Sequence, residues 1–184
     1  EHLKSVLTDN EMIELYIKQE MFDKLPRDED GICVYDGHLY LYSCDLSSLP
    51  DNFTINGDFD CSDNNLTTLP IGLNVNGHLD CNGNKLTSLP DDLRIDGSLT
   101  CIGNQLTTLP NDLWVNGYLE CSYNKITSLP DGLSIGGSLS CDHNDLSVLP
   151  EDLHIEGGIY CIGQRTGIKL ELPESASIDG EFEN

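Results

Sequence analysis

The feature that most constrains this chain is a period of 20 residues. A motif clearest as Gly97-Ser-Leu-Thr-Cys-Ile-Gly-Asn-Gln-Leu-Thr-Thr-Leu-Pro-Asn-Asp-Leu-Trp-Val-Asn116 also starts at Gly37, Gly57, Gly77, Gly117 and Gly137. These are six full repeats, and a partial seventh starts at Gly157 and ends at Gly163. Six of the 8 prolines (Pro50, Pro70, Pro90, Pro110, Pro130, Pro150) hold one place in the unit, so the period belongs to the fold and not to composition.

The unit reads G-x-L-x-C-x-x-N-x-L-[ST]-x-L-P-x-x-L-x-[IV]-x. The alternation in Leu99-Thr100-Cys101 predicts a short strand with its odd residues inward, stacked in parallel from repeat to repeat. One unit cannot bury its leucines and its Ile or Val alone, whereas stacked units share a continuous core. The Asn at Asn64, Asn84, Asn104, Asn124 and Asn144 is expected to point inward, its amide satisfying backbone groups where the chain leaves the strand. The glycines Gly37 to Gly157 are expected at a tight corner, and Leu-Pro at the start of an extended back segment, because proline cannot continue a helix.

N-x-L-T-x-L-P-x-x-L resembles the short LPX-type leucine-rich repeats of secreted effectors of Gram-negative pathogens and of related bacterial or phage proteins, over residues 37–163. The resemblance implies an α/β-type but mostly β solenoid. It would be a right-handed leucine-rich-repeat superhelix with a parallel concave sheet and an extended convex side. It also implies a protein-binding role, as an inhibitor or an effector. Where the family has Leu-x-x-Leu-x-Val, this chain has Ile/Val-x-Gly-x-Leu-x-Cys.

The flanks read as caps. Thr8 with Glu11 forms a capping-box pattern, and Met12, Ile13, Tyr16, Ile17, Met21 and Leu25 recur at helical spacing until Pro26. Residues 1–36 are therefore expected to be an N-terminal helical cap, with docking of a partner as the alternative role. Asp36-Gly37 between apolar runs fits a hairpin turn, but it fits the repeat corner better. Residues 164–184 are expected to hold a closing strand at Ile168–Leu172 and a mobile acidic tail from Glu174.

Composition narrows the function. Nine Lys and Arg face 32 Asp and Glu, a net charge of -23, so nucleic acid and anionic membranes are repelled and a basic partner is favoured. The 184 residues suit one domain, no apolar run is long enough to span a bilayer, and Glu-His-Leu-Lys-Ser is not a signal sequence. A soluble protein, cytoplasmic in the producing cell or in an infected host, is expected.

No chemistry-bearing constellation passes inspection. Cys61, Cys81, Cys101, Cys121, Cys141 and Cys161 share one inward position, and a row of side-by-side thiols suits free cysteines better than disulfides or zinc. Cys61-Ser62-Asp63 matches the C-x-D motif of the ubiquitin-ligase domain that some effectors carry, but the cysteine is a core position and only 21 residues follow Gly163. Asp58, Asp60 and Asp63 lack the Gly and Glu of a calcium loop. His38 and His78 lie two repeats apart, beyond one metal's reach. Ser122, Asp142 and His143 lack an elbow or an oxyanion-hole motif. No cofactor, metal or catalytic residue is expected.

What remains is the concave strand face. Tyr40, Tyr42, Asp58, Asp60, Asp63, Asp80, Tyr118, Glu120, Tyr123, Asp142, His143 and Tyr160 are expected there, tyrosines supplying contact area and acids supplying steering toward a basic protein. The alternative is an acidic nucleic-acid mimic that blocks a DNA- or RNA-binding enzyme. Residues 37–163 carry 17 acids against Lys85, Arg94 and Lys125. Over roughly 30 Å of stack, that is about one net charge per 2 Å, near the spacing of duplex DNA. The acids are spread around the coil, however, and not confined to two strips.

Overall fold

The structure is a computed structural model that describes residue 27, residues 29–111 and residues 113–184. Each coil contributes two short strands: β1 (Cys33–Tyr35) and β2 (Leu39–Tyr40), β3 (Phe53–Ile55) and β4 (Phe59–Asp60), β5 (Asn74–Val75) and β6 (Leu79–Asp80), β7 (Arg94–Ile95) and β8 (Leu99–Thr100). The pattern continues through β9 (Trp114–Val115) and β10 (Leu119–Glu120), β11 (Ser134–Ile135) and β12 (Leu139–Ser140), β13 (His154–Ile155) and β14 (Ile159–Tyr160), β15 (Ser177–Ile178) and β16 (Phe182–Glu183). The odd-numbered strands form one parallel eight-stranded sheet and the even-numbered strands a second. The protein is a parallel β-solenoid of about eight turns.

Three expectations need correction. Among the described residues there is no helix, so the α/β character is not seen; the amphipathic segment from Thr8 to Leu25 lies outside those residues. A single sheet with a merely extended back is replaced by two sheets. Leu93 and Ile95 point inward around an outward Arg94, a second short alternation that brings this stretch into register with its neighbours, as at Ile95↔Val115. The closing strand is not at Ile168–Leu172, and the acidic tail is the eighth coil: Ser177 and Ile178 pair with His154 and Ile155, and Phe182 pairs with Ile159. That register is 23 residues, because three extra residues are accommodated ahead of Leu172-Pro173.

The core is one file of side chains per repeat position. Leu66, Leu86, Leu106, Ile126 and Leu146 are fully buried, as are Leu99, Leu119 and Leu139. Between them runs the asparagine ladder. Asn64 Oδ1 accepts from the backbone N–H of Leu46 at 2.8 Å, and its Nδ2 donates to the carbonyls of Leu41 at 2.8 Å and Cys61 at 3.0 Å. The same pattern recurs at Asn84, Asn104, Asn124 and Asn144. Gln164 fills the place in the seventh coil, accepting from Leu146 N and donating to the Cys141 and Cys161 carbonyls.

The repeat glycines sit at the bend between the two strands, but mostly not for φ. Of Gly37 to Gly157 in this column, only Gly37 has positive φ. At Gly97 an added Cβ would lie 2.6 Å from the Gly77 carbonyl oxygen, so the column is glycine because backbones touch there.

The cysteine ladder is buried and every thiol is free. Burial, followed by the neighbouring thiol or carboxyl, pushes Cys61, Cys81, Cys101 and Cys121 well above the ordinary thiol range. Cys141 shares a hydrogen bond with the Cys161 thiol at 2.7 Å, which together with burial raises it too. Because the thiolate is the reactive form, the native protein is expected to react slowly with a thiol reagent at neutral pH, and the denatured protein to release all 8 thiols. A denatured, non-reduced count several short of eight would contradict the free ladder.

Candidate binding face

Four outward columns, each repeating at roughly 4.8 Å from coil to coil, make up the second sheet and its flanking corners. The strand column runs Tyr40, Asp60, Asp80, Thr100, Glu120, Ser140, Tyr160. The column before it runs His38, Asp58, His78, Ser98, Tyr118, Ser138, and the column after it Tyr42, Ser62, Asn82, Ile102, Ser122, Asp142, Ile162. The fourth runs Ser43, Asp63, Gly83, Gly103, Tyr123, His143, Gly163, and every member has positive φ, from 52° at Asp63 to 69° at Gly163.

Several of these side chains hold the stack together. His78 N donates to Asp58 Oδ1, Ser98 N to His78 Nδ1 and Tyr118 N to Ser98 Oγ, each binding one coil to the next. Asp142 Oδ1 accepts from Ile162 N at 2.6 Å, and Asn82 Oδ1 from Ile102 N at 2.6 Å. Asp58 and Asp142 are therefore already engaged by backbone. Ser122 Oγ bonds to Ser140 Oγ and Asp142 N, while the His143 ring stacks on Tyr123, so Ser122, Asp142 and His143 do not line up as a relay. No group of three metal-ligating side chains is placed to hold an ion among the described residues.

Two features are left for a partner. The first is a groove of about 320 Å³ whose lining includes Tyr40, Asp58, Asp60, His78, Asp80 and Tyr118. Asp60 and Asp80 face each other in register on adjacent coils. Burial raises the Asp80 carboxyl above its ordinary range, a backbone bond from Asn82 works against that, and the Asp60 charge adds to it. A larger groove of about 450 Å³ along the proline edge, lined by Leu69, Pro70, Ile71 and Pro90 among others, has no aromatic and one carboxylate, Asp51.

The second feature is an aromatic platform. Tyr123 and His143 stack with ring centroids 4.5 Å apart; Tyr123 is 58% exposed, and Tyr118, in the same coil, is 44% exposed. Both platform residues occupy the left-handed region, which costs a side-chain-bearing residue about 1–2 kcal/mol. Gly83, Gly103 and Gly163 show that the fold is satisfied by glycine there, and Gly163 leaves the space that the His143 ring fills. Replacing both residues by glycine relieves two such costs and loses one exposed stack worth about 0.5–1.5 kcal/mol. Tyr123→Gly with His143→Gly is accordingly expected to raise stability by about 1 kcal/mol, read as a higher denaturation midpoint; a lower midpoint would make the platform a folding element.

Tyr42, Glu120 and Tyr160 lie on the same face but outside the groove's lining. Sequence reasoning missed His78 and Thr100, which line the groove, and the exposed Trp114 on the first sheet. The alternation Leu113-Trp114-Val115 carried the signal for Trp114, since its neighbours are both buried. Compared with protein-family models and with curated proteins, the chain matches none.

Proposed function

We propose that this protein is a non-enzymatic binding module that docks another protein, one with a basic surface, on the face of its second sheet. The observation that carries the proposal is the Tyr123–His143 platform: an exposed tyrosine ring stacked on a half-buried histidine ring, both kept at backbone positions where glycine is the low-cost residue. Strain retained at an exposed aromatic site is a mark of function rather than of folding. The rings stand on turns that follow β10 and β12 and stack on each other, which reduces the ordering entropy lost on binding. The same reading takes the coils as leucine-rich repeats of the LPX type, on the strength of the Leu-Pro column and the buried asparagine ladder. An inhibitor or effector acting inside a cell, where free thiols persist, fits both parts.

The test is capture of partners from a host-cell lysate on immobilised protein at two salt concentrations, with duplex DNA as competitor. A binding module retains its partner at the higher salt and in the presence of DNA. Release by DNA, with a steep fall of affinity with salt, would instead establish the nucleic-acid mimic.

A further inference from the structure

Three observations converge on the groove between Tyr40 and Tyr118. Asp60 and Asp80 stand in register on adjacent coils, roughly 4.8 Å apart along the stack. Each uses one oxygen for a local hydrogen bond: Asp60 Oδ1 accepts from Ser62 N at 2.9 Å and Ser62 Oγ at 2.6 Å, and Asp80 Oδ1 accepts from Asn82 N at 3.0 Å. Neither forms an ion pair among the described residues; the ion pairs seen there are His38–Asp58 and Arg165–Asp145.

The second observation is independent of the acids. Thr100 Oγ1 is the one buried side-chain oxygen or nitrogen among the described residues without a hydrogen-bond partner. It lines this groove, one coil beyond Asp80 and in register with it. It lies near enough to Asp80 to favour the charged carboxylate, yet no hydrogen bond of good geometry forms. Held at the edge of hydrogen-bonding reach of Asp80, the hydroxyl has no close partner, and an N–H entering the groove would give its oxygen one. Third, the groove holds tyrosines as well as acids: Tyr40, which stacks on His38, and Tyr118.

We infer that this groove is the subsite for an arginine side chain carried on an extended basic segment of the partner, with Asp60 and Asp80 receiving the guanidinium and Thr100 Oγ1 accepting a further N–H. This rests on the proposed binding face and names what the face recognises. Arginine fits better than lysine because a planar fork of five donors spans two carboxylates and a hydroxyl at once and stacks on tyrosine, whereas an ammonium is a compact and strongly hydrated point charge. Bringing that cation between two carboxylates of like sign also relieves their mutual repulsion, which no ion pair among the described residues neutralises.

The experiment titrates the full chain with fluorescein-labelled hexa-arginine and hexa-lysine peptides, followed by anisotropy. Hexa-arginine is expected to bind at least about tenfold more tightly than hexa-lysine. Asp60→Asn with Asp80→Asn is expected to weaken hexa-arginine binding by at least about tenfold, while Asp91→Asn with Asp92→Asn on the far edge changes it less than about threefold. Asparagine keeps the oxygen that accepts from Ser62 and Asn82, so the groove variant retains its turn. In the unaltered protein, hexa-arginine is expected to shift the backbone amide resonances of Asp60, Asp80 and Thr100 and to leave those of Asp91 and Asp92 in place. Equal affinity for the two peptides, or loss of binding spread evenly over groove and edge acids, would overturn the arginine subsite. If the groove variant binds the partner normally while the tyrosines of the face prove essential, the subsite is wrong and the face stands; if neither set matters, both fall.

Discussion

Asn124→Ala is expected to lower the unfolding free energy by about 3–5 kcal/mol, a large share of the 5–15 kcal/mol typical of a domain. The side chain is buried and serves two coils at once. Its Oδ1 accepts from Leu106 N at 3.0 Å, and its Nδ2 donates to the carbonyls of Cys101, Cys121 and Ser122 at 2.9, 3.0 and 3.2 Å. Alanine leaves those backbone groups buried without this partner, in a space that excludes water, and each such group costs about 1–3 kcal/mol. Gln105→Ala, at an exposed position one residue before Leu106, is expected to stay within about 0.5 kcal/mol. Urea denaturation of the two variants decides the matter: a change below about 1 kcal/mol for Asn124→Ala would mean that the ladder does not hold the coils together.

The asparagine ladder is legible in the amino-acid sequence alone. Asn64 to Asn144 recur at one place beside Leu-x-Cys, and an amide in the middle of an apolar unit has few uses other than bonding backbone. The cysteine position is legible for the same reason, from alternation with a buried leucine. The first sheet, that of the odd-numbered strands, is not. Its strands are two or three residues long, and their outward places hold Thr54, Asn74, Arg94, Trp114, Ser134 and His154, which share no strand signature. Pairing there is enforced by register between coils and not by local propensity.

The eighth coil is hidden by substitution and by three inserted residues. Gln164 replaces the asparagine, Ala176 a leucine and Phe182 a leucine or isoleucine, and the shift from 20 to 23 residues moves Pro173 and Gly180 out of phase. Only a gapped repeat recovers Leu-Pro-x-x-Ala-x-Ile-x-Gly-x-Phe. On the candidate face, the columns follow directly from the period, so Tyr40, Asp60 and Asp80 are placed correctly beside one another. The engagement of Asp58 and Asp142 by the next coil's N–H groups is not legible, because it depends on how neighbouring coils stack. Nor is the left-handed conformation of Tyr123 and His143, since nothing in their own sequence requires it; only Gly83, Gly103 and Gly163 in the same column give a hint.

The second large effect is on binding. Tyr118→Ala with Tyr123→Ala is expected to weaken the partner's affinity by about 2 kcal/mol or more, roughly 30-fold, because exposed aromatics that become buried at an interface dominate its energy. The same substitutions leave the core untouched, as both residues are exposed and neither belongs to the buried cluster. The most direct test of recognition by this face is therefore one affinity measurement made on two variants with the captured partner at physiological salt. One is the double-tyrosine variant; the other carries Asp91→Asn, Asp92→Asn, Glu151→Gln and Asp152→Asn, which neutralise exposed acids on the opposite edge and leave the face intact. Recognition by the second-sheet face predicts a loss of roughly 30-fold for the tyrosines and less than about threefold for the edge acids. Unchanged binding by the tyrosine variant, with binding abolished by neutralising the edge, would contradict it.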